Sequence, residues 1–313
     1  MTVAVDILTG FLGSGKTTLL RHVLDHGLKG KPVAVVMNEI GEVGIDGRVV
    51  TGLSAVEKMV ELSSGCICCQ IDDYKFDLAI QEIVETAKPH LIIIESTGLA
   101  DPEPLAYRVK AAGLGLDAII TVVDAANFDR HEAEAQVARA QVEAADFLVL
   151  NKLDLVDEVA ATRVERRLAL LNGRAERLRS IRGAVDSELL FATGVAVYRE
   201  RARTASAHLH EDGIDSLLLT STRPLDQQAF DRFLRRLPRD VLRAKGIVHF
   251  AGRDWQGLFN FTCGRSELTW IKAPGPVESQ AVFIGHEMQK IAAELRRELH
   301  ACETDGQMDA DHG

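Results

Sequence analysis

The chain has 313 residues, 46% of them hydrophobic and 26% charged, with a formal net charge of −10. Such a chain is long enough for two domains and has ordinary soluble composition, and its acidity argues against coating nucleic acid. No apolar run approaches the ~20 residues that cross a membrane. The first residues lead directly into an apolar strand, so no signal peptide is expected. Three of the five cysteines fall at positions 66–69, which is no disulfide framework; a thiol-reducing, cytoplasmic setting is the expectation.

Val3 to Thr9 reads as a short strand interrupted by Asp6, and Thr18 to Leu24 as the start of a helix. Between them Gly10 to Thr17 spells G-x-x-x-x-G-K-T. This order of strand, glycine turn and helix builds a phosphate-binding loop. Gly10, Gly13 and Gly15 let backbone N–H groups around Ser14 and Thr18 converge on an anion, and the helix start adds partial positive charge. Lys16 can reach the β- and γ-phosphates, and the Thr17 hydroxyl can bind Mg²⁺.

A turn at Gly30, Lys31 and Pro32 precedes a strand at Val33 to Met37. The following NEIGEVGIDG places Glu39 and Glu42 just past a strand end, where open α/β sheets build ligand contacts, and Glu39 is expected to act in a switch. Cys66, Cys68 and Cys69 follow on one tight turn. Thiolates favour Zn²⁺, Cu⁺ and, with other donors, Co²⁺ or Ni²⁺. Glu42, a histidine, a partner or water can complete the set, while small buried cysteines or a redox pair are the competing readings.

Asp77 to Thr86 reads as an amphipathic helix and His90 to Glu95 as a buried strand ending in an acid. Glu95 is the expected partner of the Mg²⁺ shell or the attacking water, and the Gly98 N–H the sensor of the γ-phosphate. Ala118 to Asp124 is a strand, His131 to Ala145 a helix, and Phe147 to Leu150 another strand, followed by Asn151-Lys152-Leu153-Asp154. Asp154 can accept from the N1 and N2 donors of guanine, which adenine lacks. Lys152 can lie across the base, and Asn151 can tie this segment to the phosphate loop. A wrong base leaves such polar groups unpaired, so the pattern favours GTP over ATP.

Arg163 to Leu171 reads as a helix, with a strand near Leu178 to Ile181 and a base-contacting loop near Ala192 or Thr193. The expected divisions are 1–205 for the nucleotide domain, 206–213 for a linker holding His208 and His210, 214–300 for a smaller α+β domain, and 301–313 for a disordered acidic tail. In the second domain, Ile214 to Thr220, Arg243 to Phe250, Gly257 to Cys263, Glu267 to Ile271 and Gln280 to Ile284 read as strands, with helices at Asp226 to Leu237 and Glu287 to Leu299. Cys263 is expected in the core. His300, Cys302 and His312 are weak metal candidates.

With GFLGSGKTT, NEIGEVGID, GCICC, ESTGLADP and NKLD in this order, the chain resembles the CobW-like, metal-associated GTPases, relatives of the nickel-insertion GTPases of urease and hydrogenase. The resemblance runs over essentially the whole chain. It implies a doubly wound, mostly parallel P-loop NTPase sheet and a GTPase whose nucleotide state governs metal binding or release to a client metalloprotein. It also implies that Cys66, Cys68 and Cys69 take the metal, Zn²⁺ or Co²⁺. A nucleotide-dependent homodimer is a further expectation, with neither nucleic acid nor membrane as partner. No arginine finger is evident, so slow intrinsic turnover is expected. The chain departs from the family at Asp6, where a partly buried carboxylate is expected in the first strand, lacks a long His-rich insertion, and carries an unusual QIDDYKFD after Cys69. A GTP-regulated redox or assembly switch is the competing function, and a phosphotransferase ranks behind it.

Overall fold

The computed structural model describes residues 3–26, 28, 32–38, 56–62, 73–191, 214–271 and 278–304. Two compact units divide the chain, Thr2–Ala192 and Thr193–Gly313 together with Met1. Among the described residues no helix is long and apolar enough to cross a membrane.

The first unit runs β1 (Ala4–Thr9), α1 (Lys16–His26), β2 (Val33–Asn38), β3 (Val56–Leu62), α2 (Asp73–Thr86), β4 (Leu91–Glu95), α3 (Pro102–Ala111) and β5 (Gly115–Asp124). It continues with α4 (Phe128–Glu134), α5 (Gln136–Ala144), β6 (Phe147–Asn151), α6 (Glu158–Leu171), β7 (Glu176–Arg179) and a short α7 (Ser187–Leu190). The seven strands form one sheet in the order β3-β2-β4-β1-β5-β6-β7. Every pairing is parallel. Parallel strands covered on both faces must be apolar throughout, which is why LIIIE and FLVLN are buried at every position. Val5, Ile7, Ile92 and Ile94 join Phe76, Ile80 and Leu105 in one core cluster, while Leu148 and Leu150 join Phe128, Val142 and Leu168 in another.

Side-chain caps set the starts of α3 and α6. Asp101 accepts from the Glu103 N–H at 3.0 Å ahead of Pro102, and Asp157 accepts from the Ala160 N–H at 2.8 Å.

The register brings the strand ends level. Leu8 lies opposite Glu95, Thr9 opposite Thr121, and Asp124 opposite Asn151. The C-terminal ends of β1, β4, β5 and β6 thus share one edge, where the connection after β1 runs to β2 on one side and the connection after β4 runs to β5 on the other.

Three expectations change in this unit. The strand β3, VEKMVEL, was not foreseen because its charges break the apolar run; it lies at the sheet's edge, where charge is tolerated. The single helix over 131–145 is two helices, with Ala135 extended at φ −138° and ψ 112°. Tertiary burial overrides alanine's helix propensity here: Phe128 and His131 bury from α4, Ala138, Gln141 and Val142 from α5. Asp6, expected to be partly buried, is fully enclosed.

The second unit contains β8 (Ile214–Ser221), α8 (Gln227–Arg236), β9 (Val241–His249), β10 (Gln256–Thr262), β11 (Arg265–Ile271), β12 (Ser279–His286) and α9 (Met288–His300). Its five strands are antiparallel in the order β11-β10-β9-β12-β8. Phe230 and Phe233 of α8 and Leu295 and Leu299 of α9 pack with Phe250, Phe259 and Phe283. The Phe230 ring meets Phe259 edge-on at 5.2 Å between centroids.

Cys263 is buried but is not in a strand. It opens a two-residue hairpin turn between β10 and β11, with φ 45° at Cys263 and 89° at Gly264. The expected disorder does not begin at 301. The Thr304 N–H donates to Pro224 O at 2.9 Å, and Cys302 O accepts from the Asp226 N–H at 2.7 Å, so Ala301–Thr304 extends this unit.

Candidate nucleotide site

The loop after β1 wraps tightly on itself. Gly10 and Gly15 have φ of 138° and 104°. A Cβ on Gly10 would stand 2.3 Å from Val122 O, so backbone conformation and space both require glycine there. Lys16 is largely buried, and its Nζ donates to Gly10 O at 2.9 Å. Ser14 Oγ is buried with no hydrogen-bond partner among the described residues. A buried, unpartnered hydroxyl on a glycine turn that leads into a helix N-terminus fits a loop built for an anion. Thr18, next on α1, is exposed.

Thr17 Oγ1 donates to Glu95 Oε1 at 2.9 Å. The acid at the tip of β4 and the hydroxyl beside the loop lysine therefore meet, and both are oxygen donors of the kind Mg²⁺ takes. Ser96 Oγ donates to Thr9 Oγ1 at 2.8 Å, locking the start of the STG turn to the end of β1. Gly98 lies hard against Leu12: an added Cβ would be 2.6 Å from the Leu12 nitrogen. Gln141 Nε2 donates to Gly98 O at 3.3 Å and to Ala100 O at 2.9 Å, holding this turn from α5.

Asn151 joins three segments. Its Nδ2 donates to Ser14 O at 3.0 Å, and its Oδ1 accepts from the Gly183 N–H at 3.0 Å. Lys152 stands in the left-handed region at φ 64° and ψ 35°. Its Nζ donates to Asp124 Oδ2 at 2.8 Å. Asp124 also accepts from the Ala126 N–H and Asn127 Nδ2. Burial alone would raise the Asp124 carboxyl, but the hydrogen bonds from Lys152 and Asn127, with the lysine's charge, outweigh it and hold the pKa below the ordinary value. Asp154 is exposed in a short 3₁₀ turn, Leu153–Leu155, its carboxylate accessible to solvent.

The structure brings Gly10, Gly13, Ser14, Gly15, Lys16, Thr17, Glu95, Gly98, Asn151, Lys152 and Asp154 to this one edge of the first unit. Glu39, Glu42, Cys66, Cys68, Cys69, Ala192, Thr193, His208, His210 and His312 lie outside the described residues. The loop that touches the Asn151 segment is Ser180–Gly183: Ser180 O accepts from the Leu153 N–H at 3.3 Å. Asp124, Gln141 and this loop were missed by sequence reasoning. Asp124 carried a usable signal, since like Glu95 it ends a buried apolar strand; Gln141 and Ser180 carried none.

Among the described residues, no three or more His, Cys, Asp or Glu side chains gather as a metal site. His300 Nδ1 lies 2.6 Å from Glu303 Oε1, and burial pushes the Cys302 thiol up to about 11, so it is protonated at neutral pH.

Residues 4–179 match the family described as CobW/HypB/UreG, nucleotide-binding domain, and residues 214–303 match the cobalamin synthesis protein cobW C-terminal domain. The chain is 32% identical over 308 residues to a protein named zinc chaperone YjiA of Escherichia coli, covering 91% of this chain and 95% of that one. It is 29% identical over 336 residues to a zinc chaperone CobW of Sinorhizobium sp, covering 93% and 95%. Among solved structures it is similar to Zn(II)-bound YjiA GTPase from E. coli, at 26% identity, 97% and 100% coverage, and a TM-score of 0.46.

Proposed function

This chain belongs to the CobW/HypB/UreG family, and on that premise we propose that it is a GTPase that loads a transition metal on Cys66, Cys68 and Cys69 and delivers it to a client metalloprotein under nucleotide control. GTP hydrolysis is the activity of the family, and metal delivery is the general role carried in its relatives' names. One observation carries the nucleotide half of the reading. Asn151 ties the base-reading segment to the phosphate loop, so one side chain sets the distance between the two ends of a bound nucleotide.

The roles follow from the donors. Lys16 exchanges its bond to Gly10 O for β- and γ-phosphate oxygens and stabilises the charge that develops in transfer. Thr17 and Glu95 hold the Mg²⁺ side of the site, and Mg²⁺ when bound neutralises charge between the β- and γ-phosphates. The Gly98 N–H senses the γ-phosphate, and Glu39 acts in the switch. Asp154 accepts from guanine, with the Lys152 stem across the base. No charged side chain other than Lys16 is assigned to the transition state, so intrinsic turnover is slow, well under typical kinase rates of about 1–100 s⁻¹.

For the cargo, three thiolates with Glu42 suit Zn²⁺ or Co²⁺. GTP orders the Glu39–Glu42 stretch and the cysteine turn together, so nucleotide and metal strengthen each other reciprocally. The test is a competition titration of Zn²⁺ and Co²⁺ with and without Mg²⁺-GTP, on the native chain and on one with Cys66, Cys68 and Cys69 changed to Ser. A one-to-one site that GTP tightens and the variant lacks supports the proposal. Equal metal affinity in both chains overturns the cargo, and equal affinity with and without GTP overturns the coupling.

A further inference from the structure

The helix that begins at the phosphate loop carries different chemistry at its far end. His22 and His26 stand one turn apart on α1, the first partly buried and the second exposed. Their rings are stacked, with centroids 4.6 Å apart and planes at 24°. His26 Nδ1 lies 2.9 Å from the His22 carbonyl oxygen. A carbonyl only accepts, so Nδ1 is the donor, and in the neutral ring that leaves the lone pair on Nε2. This is the tautomer of metal-ligating histidines, whose other ring nitrogen donates to a backbone carbonyl or carboxylate.

One further observation favours a cation here. His26 sits in the last turn of α1, where the helix's partial negative charge stabilises positive ions. Asp25, the residue before His26, lies 3.8 Å from Arg21 on the same helix.

We propose that His22 and His26 form a second, two-imidazole site for a divalent transition ion of the Zn²⁺, Co²⁺ or Ni²⁺ class, with water completing the shell. Imidazole suits these ions, and two ligands from adjacent turns of a preformed helix bind without ordering a loop. The ion lies roughly 8–14 Å along the helix axis from Thr17, at 1.5 Å per residue, away from the end of α1 that faces the phosphates. Its exposure makes it an acquisition point for metal, open to exchange with solvent ligands.

The experiment uses the full chain with Cys66, Cys68 and Cys69 changed to Ser, so that the proposed thiolate site cannot mask this one. Ni²⁺ is titrated calorimetrically without nucleotide on that chain, and then with His22→Ala, His26→Ala or the His208→Ala/His210→Ala pair added. The expected result is one Ni²⁺ per chain, weakened roughly tenfold or more by either single change and left in place by the pair. His22→Gln and His26→Gln, with thermal melts, check that the loss is of ligands and not of the fold. Binding that survives either single substitution, or that is lost only with His208 and His210, overturns the proposal. Failure here leaves the cysteine site untouched, because the cysteines are absent throughout.

Discussion

Replacing Asn151 with Ala removes two hydrogen bonds at once, one to Ser14 O and one from the Gly183 N–H, each at 3.0 Å. Both partners are backbone groups in buried surroundings, and alanine restores neither bond. A net hydrogen bond contributes about 1 kcal/mol, while a buried polar group left unsatisfied costs about 1–3 kcal/mol. Two such losses, softened by water entering the vacated volume, put the destabilisation of the first unit at about 2–4 kcal/mol. If roughly half of that appears as lost preorganisation of the loop, GDP affinity falls about 5–30-fold, at 1.4 kcal/mol per factor of ten. Urea unfolding gives the first quantity and displacement of a fluorescent GDP analogue the second. Asn151→Asp is the informative companion, since it keeps the acceptor for Gly183 but turns a carboxylate oxygen toward Ser14 O and adds negative charge beside the phosphates. It should bind GDP more weakly than the alanine variant. A chain that loses under about 0.5 kcal/mol and binds GDP within twofold of native refutes the idea that this side chain couples base and phosphate.

Asp154→Asn replaces an acceptor with an amide that can donate, which suits the 2-oxo group of xanthine better than the 2-amino group of guanine. GTP affinity should fall about 100-fold or more while xanthosine triphosphate gains, and parallel loss of both nucleotides would count against base reading by Asp154. The Asp124 carboxyl is held below its ordinary value in the fold, so its contribution is present above the unfolded value near pH 3.9 and is lost as the pH falls through the folded value. Asp124→Asn should therefore flatten the acid limb of the stability curve below about pH 4 and lower stability at pH 7, read by chemical unfolding across pH; an unchanged acid limb would show that the Lys152 pair does not carry it.

The local elements of this protein were legible from residue order because their signals are local. LIIIE and FLVLN have too few polar positions to be anything but buried parallel strands, and Gly10, Gly13 and Gly15 between a strand and a helix leave few backbone paths. The type of NKLD segment was legible for the same reason: donor and acceptor chemistry belongs to the side chain and needs no neighbours. What waited for the tertiary structure were contacts between segments distant in sequence. Glu95 meets Thr17 across 78 positions and Asn151 meets Ser14 across 137, and only the strand order β4-β1-β5-β6 with its register makes them adjacent. The break at Ala135 and the reach of Gln141 to Gly98 follow equally from packing, since alanine's own preference points the other way. β3 escaped notice because an edge strand tolerates the charges that, read along the chain, look like a loop. Sequence determines which chemistry each residue can offer; the fold decides which of those offers are placed within three ångströms of one another, because burial and strand pairing are properties of the whole sheet.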